Sequence, residues 1–376
     1  MKKVVIAFDS FKGSLTSKEA CEAAACGVKS SETDWHFELK PIADGGEGTM
    51  ETVVDALGGE MIELRVSGPL NDRVSARYGI CGDTAVIEVA QACGLTLIPE
   101  LKRDPENTTT FGVGEMITDA MDKGCRKFKI GLGGTATNDA GIGMLRALGY
   151  RFYDSKGEET GLRAKAIGQI RKIDLSNVDC RLHECEFVIA CDVKNPLYGP
   201  DGASFVFGAQ KGADRNMQQR LDEALKSFAE IVSKISVKDY STVPGAGAAG
   251  GLGFAFISLL NASLVSGIEM VLDTIGFKSS LDDCDLVITG EGKIDFQTAM
   301  GKAPSGVLKM ARHSGIPVIA VGGSVDSAAI PDLLKAGFKA IFSIVPSPVT
   351  MEEAMKKDIA EKNLKQTIGQ IFRVLG

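Results

Sequence analysis

Histidine is scarce in this chain. Only His36, His183 and His313 occur in 376 residues, and none lies in a glycine-rich stretch. A catalytic base therefore falls to a carboxylate or a lysine, and acyl transfer by a Ser–His pair fits poorly. No Lys/Arg-rich run occurs, and 49 acidic residues outweigh 42 basic ones for a net charge of −7. That balance argues against a nucleic-acid surface, though a local pocket on an acidic protein can still be positive. Long apolar runs are missing too. The longest stretch, 253–265, is interrupted by Ser258, Asn261 and Ser263 and is too short to span a bilayer. The opening MKKVVIAFDS begins like a signal peptide, but Asp9 breaks the short apolar run. The nine cysteines are an odd number without a framework, as expected of free thiols in a reducing compartment. The cluster Cys180, His183, Cys185 and Cys191 matches no standard zinc spacing. The expectation is a soluble, cytoplasmic protein without nucleic-acid or membrane partners, a monomer or homodimer.

What is present is a rhythm of apolar strands and amphipathic helices. At the start it runs strand 4–8, helix 17–29 capped by Thr16 or Ser17, strand 37–42 and helix 47–57 closed by Gly58-Gly59. It resumes at 285–290 and continues through Pro317-VIAV and strand 340–345 to a long final helix, 351–374. Such alternation predicts a parallel sheet with helices on both faces. The middle differs: EMIELRVSG, DRVSARYGICG and DTAVIEVAQA read as an antiparallel meander, followed by mixed helices and strands. The expected architecture is α/β, with one parallel-sheet domain built from both termini (1–58 plus 282–376). A mixed α/β domain (59–281) is inserted into it, leaving an interdomain cleft as a natural ligand site.

Ligands bind open α/β sheets beyond the carboxyl ends of the strands. There the terminal domain carries DSFKGS, ADGGEGT, GEGKIDFQT and GGS. All four are glycine-rich, three hold a carboxylate and two a lysine. They predict a polar pocket walled by Asp9, Ser10, Lys12, Ser14, Asp44, Glu47, Glu291, Lys293 and Asp295. In the inserted domain KIGLGGTATNDAG follows a strand and leads to a helix expected from Asp139-Ala140. Gly133 and Gly134 admit a ligand to the backbone; Thr135, Thr137 and Asn138 add polar side chains, and the helix N-terminus favours an anion. The segment reads as a phosphate cradle, but the P-loop pattern occurs nowhere in the chain. Asp192, directly after the strand FVIAC, can serve as a base or hold Mg²⁺. Gly245-Ala-Gly247-Ala-Ala-Gly250 matches G-x-G-x-x-G, but what precedes it is a poor strand, so a dinucleotide site rests on a lone match. Backbone donors, lysines and carboxylates together suit phosphoryl transfer.

DSFKGSL, PIADGGEGT, GLGGTATNDAGIG, CDVKNPLYGPDGA and ITGEGKIDFQTAMGKAP, in this order, resemble segments of the bacterial class I glycerate kinases. The resemblance implies ATP-dependent phosphorylation of D-glycerate to 2-phosphoglycerate, with Mg²⁺, and a two-domain α/β fold whose terminal domain is flavodoxin-like. On that reading Asp192 is the base or a Mg²⁺ ligand. Lys12 and Lys293 neutralise the glycerate carboxylate or the transferring phosphoryl group. Asp9, Ser10, Ser14, Asp44, Glu47 and Asp295 bind substrate, Glu291 helps to hold the metal, and Gly133, Gly134, Thr135, Thr137 and Asn138 line the ATP phosphates. Two other readings compete: a dinucleotide-dependent oxidoreductase, and a non-catalytic sensor of small acids.

Overall fold

The computed structural model describes residues 2–46 and 48–376, for Met300 the backbone alone. Its strands in chain order are β1 (Lys2–Phe8), β2 (Trp35–Leu39), β3 (Glu60–Ser67), β4 (Arg73–Cys81), β5 (Thr84–Glu88), β6 (Lys127–Gly131), β7 (Arg151–Tyr153), β8 (Lys172–Asp174), β9 (Glu186–Ala190), β10 (Ser263–Val265), β11 (Leu286–Ile294), β12 (Val318–Val325) and β13 (Ala340–Ser343). The chain divides into two compact units. The first comprises Met1–Asp44, Asp55–Leu57 and Ile268–Gly376, the second Gly45–Val54 and Gly58–Gly267. Against the boundaries read from the sequence, 45–54 and Gly58 lie with the second unit and 268–281 with the first. Local packing accounts for both. Val54 lies so close over Gly79 of β4 that a Cβ there would meet its Cγ2 at 2.1 Å, and a Cβ at Gly306 would meet Ile268 Cγ1 at 2.4 Å.

The first unit holds one all-parallel sheet in the order β13-β12-β11-β1-β2. Counted within the unit, its strands run 2-1-3-4-5, the flavodoxin-like doubly wound order. Val4 to Phe8 of β1 are fully buried, as a strand covered on both faces requires. Val4, Ile6 and Phe8 pack with the helices Ser17–Ser30 and Lys357–Leu375 through Ala20, Ala24, Leu364, Ile368 and Phe372. The first of these helices starts on a full capping box. Thr16 accepts from the Glu19 N–H, and the Glu19 carboxylate accepts from the Thr16 N–H. The long final helix expected from the sequence is divided, Met351–Ala354 and then Lys357–Leu375.

The second unit has a six-stranded sheet, β10-β9-β6-β5-β4-β3. β10, β9, β6 and β5 are parallel; β4 and β3 add antiparallel strands at one edge. The meander ends sooner than its sequence suggests, because β5 stops at Glu88 and Ala90–Cys93 is helical. β7 pairs with β8 in a separate two-stranded sheet. Among the described residues no helix is long and apolar enough to cross a membrane, and all nine cysteines are free.

Candidate active site

In the first unit the chain order reverses between β1 and β11, the place where doubly wound sheets open a crevice. A cavity of about 470 Å³ lies there. It is lined by Asp9, Ser10, Lys12 and Ser14 after β1, Asp44 after β2, Glu291 and Lys293 in β11, and Gly323 and Ser324 in β12. The four loops picked out from the sequence thus meet in one place. Lys302 adds a third lysine, and much of the remaining wall is apolar, with Ile344, Val345, Val349, Met351 and Met355.

The stretch after β1 is a tight turn. Phe11 N–H donates to the Leu15 carbonyl at 2.8 Å, and the Ser14 N–H to the Phe11 carbonyl at 2.7 Å. Gly13 takes φ +78°, and a Cβ there would also meet the end of Met355 at 2.8 Å. Ser14 Oγ is buried without a hydrogen-bond partner among the described residues. Charge in the pocket is arranged in pairs: Lys12–Asp44 at 3.5 Å, Lys293–Asp295 at 3.4 Å and Lys302–Glu291 at 3.5 Å.

Asp9 is the exception. It is 5% exposed and accepts the Ser10 N–H; among the described residues it has no other hydrogen-bond donor and no lysine within ion-pairing distance. Burial pushes its carboxyl up to about 7. The charges of Asp44 and Glu291 push the same way, and the Ser10 N–H and Lys12 oppose them. Burial also raises the Glu291 carboxyl, against Thr298, which donates to Oε1 at 2.7 Å, and Lys302. Both Glu291 oxygens are therefore engaged by the protein, which suits an anchor for Lys302 better than the metal ligand expected from the sequence. Burial opposes ionisation of Asp295 as well. The Gln297 N–H and the neighbouring Lys302 and Lys293 still hold its carboxyl below the usual carboxylate range. Asp295 caps the short helical turn Phe296–Met300 and stands behind Lys293 rather than in the cavity wall. Glu47 lies outside the described residues.

In the second unit the loop after β6 and Asp192 after β9 leave adjacent parallel strands at the same end. Gly134 has φ +73°, which a residue with a side chain rarely adopts. The Gly134 carbonyl and two of the loop's amides are fixed. Leu95 N–H donates to the Gly134 carbonyl, Ala136 N–H to the Cys93 carbonyl (both 2.8 Å) and Leu132 N–H to the Ala190 carbonyl. By contrast, the backbone N–H groups of Gly133, Gly134, Thr135, Thr137 and Asn138 donate to no acceptor among the described residues. Thr135, Thr137 and Asn138 are nonetheless buried. Buried N–H groups without acceptors are rare in folded proteins, and a run of them forms a concavity for an anion. Asn138 donates from Nδ2 to Ser204 Oγ at 2.9 Å.

One expectation for this loop fails. The helix starts at Ile142, not at Asp139-Ala140, and has six residues. Asp139 turns back over its start, accepting from Gly141 N–H, Gly143 N–H, Thr110 N–H and the Thr110 hydroxyl. A carboxylate of the protein already occupies that helix end, so the loop amides, not the helix, are what remains for a ligand. The glycines at 245–250 are also accounted for by packing. A Cβ at Gly247 would meet the Pro196 carbonyl at 2.2 Å, and one at Gly250 the Thr137 carbonyl at 2.1 Å. No strand precedes them, so the setting a dinucleotide fingerprint needs is missing.

A family model for the glycerate kinase family matches residues 4–376. The chain belongs to the glycerate kinase family. A glycerate kinase of Bacillus cereus is 49% identical over 374 residues, covering 99% of this chain and 97% of the relative. The glycerate 2-kinase of Escherichia coli K12 is 44% identical over 357 residues, 94% of this chain and 93% of its own length. A crystal structure from Salmonella typhimurium LT2, provisionally described as glycerate kinase 2, superposes with a TM-score of 0.91 at 42% identity. It covers all of this chain and 98% of its own. Membership makes the chain a kinase, in keeping with its two-unit α/β fold.

Two lysines of this family member escaped the sequence reading. Lys302 stands in the quoted motif AMGKAP, but its place in the pocket follows from the turn that ends at Met300. Lys211 lies in the turn Ala209–Lys211, where G-A-Q-K-G reads as surface, yet it is 3% exposed. No local signal marks it.

Proposed function

We propose that the protein transfers the γ-phosphoryl group of ATP, with Mg²⁺, to the 2-hydroxyl of D-glycerate, releasing ADP and 2-phosphoglycerate. Family membership supports the kinase reaction on glycerate. The observation that carries the site assignment is the contrast between a lysine-lined pocket in the first unit and an amide-lined loop in the second. The pocket suits a small hydroxy acid. Lys12 and Lys293 are largely exposed and only loosely paired, so a substrate carboxylate can replace their carboxylate partners at little cost. Ser10, Ser14 and Asp44 stand close by for the hydroxyls, with Asp295 holding Lys293.

For the base, the sequence favoured Asp192, and the pocket offers Asp9 as a better candidate. Asp9 is the pocket carboxylate without a lysine, and a carboxyl poised near 7 can take a hydroxyl proton at neutral pH. Asp192 is then the Mg²⁺ ligand. It is an exposed carboxylate after β9, with Oδ1 accepting the Gly267 N–H at 3.0 Å. A single carboxylate fits Mg²⁺, which keeps several waters and takes its other ligands from substrate phosphates. Bound there, the ion would neutralise charge on the transferring phosphoryl group. The second unit's loop would hold the ATP phosphates through its unpaired amides and Thr135, Thr137 and Asn138.

The test is ADP release from Mg-ATP in the presence of D-glycerate, L-glycerate, glycolate, tartronate or no acceptor. Release that depends on D-glycerate, with the phosphate placed on the 2-position by NMR, is the expected result. Folded protein that releases ADP with none of the acids would overturn the reading.

A further inference from the structure

Lys211 is buried in the second unit without a counter-ion. Its Nζ donates to the Thr137 carbonyl at 2.7 Å and to Thr135 Oγ1 at 3.3 Å. No carboxylate lies within ion-pairing distance of it among the described residues. The nearby acid, Asp139, is satisfied by four donors of its own. Removing an ammonium from water without a paired anion is expensive, and folds keep such groups mainly where the charge has a task.

We propose that Lys211 is the buried positioning residue of the nucleotide site: acting through Thr135 and Thr137, its ammonium fixes the 133–138 loop in an anion-receiving form and supplies the positive charge that draws in the polyphosphate. The proposal rests on reading that loop as the ATP phosphate site. Its chemistry follows from what each group can do. An ammonium only donates, so Thr135 Oγ1 must accept from it, which leaves the Thr135 hydroxyl proton for a ligand. The Thr137 carbonyl belongs to the same peptide as the Asn138 N–H. Donation to that oxygen polarises the peptide and strengthens the unpaired Asn138 N–H as a donor. The bound phosphates then serve as the counter-ion that the protein does not provide. Burial lowers the Lys211 pKa to about 8, with Cys93 and Asp139 opposing the shift. The charge is therefore present at neutral pH and lost as pH rises through about 8.

The experiment compares full-length wild type with Lys211→Met. KM for ATP should rise tenfold or more while KM for D-glycerate stays within about twofold. Heat stability without nucleotide should hold or rise, since a buried charge has been replaced by an apolar chain of similar length. Inorganic tripolyphosphate should stabilise the wild type and not the variant. In wild type, KM for ATP should increase between pH 7.5 and about 9.5, and the variant should show no such increase. A folded variant with an unchanged KM for ATP overturns the assignment of Lys211 and leaves the loop reading standing. If the variant does not fold, the wild-type pH series decides, and a flat KM for ATP overturns the assignment. A wild type that saturates with glycerate while neither ATP nor tripolyphosphate stabilises it overturns the loop reading and the proposal together.

Discussion

On the proposed reading, the two units prepare for anions in opposite ways. The pocket of the first unit is lined by Lys12 and Lys293, on long, largely exposed side chains, and by the more buried Lys302, each resting on a carboxylate 3.4–3.5 Å away. The loop of the second unit presents fixed backbone amides, with the buried Lys211 ammonium behind it. Loosely paired side chains can exchange partners as substrates of different shape come and go. Rigid amides cannot adapt, but they need no reorganisation when charge arrives. The contrast matches an acceptor that enters as a small acid and a donor whose phosphates recur unchanged in every cycle.

The sharpest break in that comparison is at Asp9. Asp9→Asn should lower kcat by ~10²-fold or more, and the rise of kcat/KM as pH passes through about 7 should vanish. Stability should move the other way. Folded Asp9 keeps its proton to about 7, whereas the unfolded chain releases it near 3.8. The native state thus binds more protons across that window, and this group's contribution falls as pH climbs through it. At pH 8 the asparagine variant should melt no lower than wild type. A variant with near-normal kcat would return the base to another group. Asp192→Asn comes next, with activity down about tenfold at low Mg²⁺ and partly restored at high Mg²⁺. If the same loss persisted at every Mg²⁺ concentration, Asp192 would be the base and not the ligand. Lys12→Met and Lys293→Met should raise KM for glycerate several-fold without lowering the melting temperature, because exposed pairs contribute little to stability. Unfolding of the Lys12 variant would make the turn after β1 structural. Gly250→Ala should cost ~1–3 kcal/mol of stability, read by denaturant melts. Its φ is +68°, and its Cβ would press on the Thr137 carbonyl behind the loop.

The first unit is largely legible from sequence, because a strand such as Val4–Phe8 is apolar throughout and its helix carries a capping box. The polar residues at strand ends then have one place to go once the sheet order is known. The second unit is harder. The Asp139 carboxylate that closes the helix start receives its donors from Thr110 as well as from Gly141 and Gly143. A partner 29 residues away leaves no mark on the local pattern. Lys211 is hidden for the same reason: its neighbours Thr135 and Thr137 are more than 70 residues distant. The glycines at 245–250 mislead in the other direction. Their spacing resembles a nucleotide fingerprint, but the close approaches of Pro196 and Thr137 explain them. What sequence conveys well is periodic burial and local capping; what it conveys poorly is which distant backbone atom a buried polar group meets.

The most direct test of this division of labour is a paired measurement of both Michaelis constants in Lys293→Met and Thr135→Ala. The account predicts a rise in KM for D-glycerate alone in the first and in KM for ATP alone in the second. The reverse pattern, or equal rises in both constants in both variants, would contradict it.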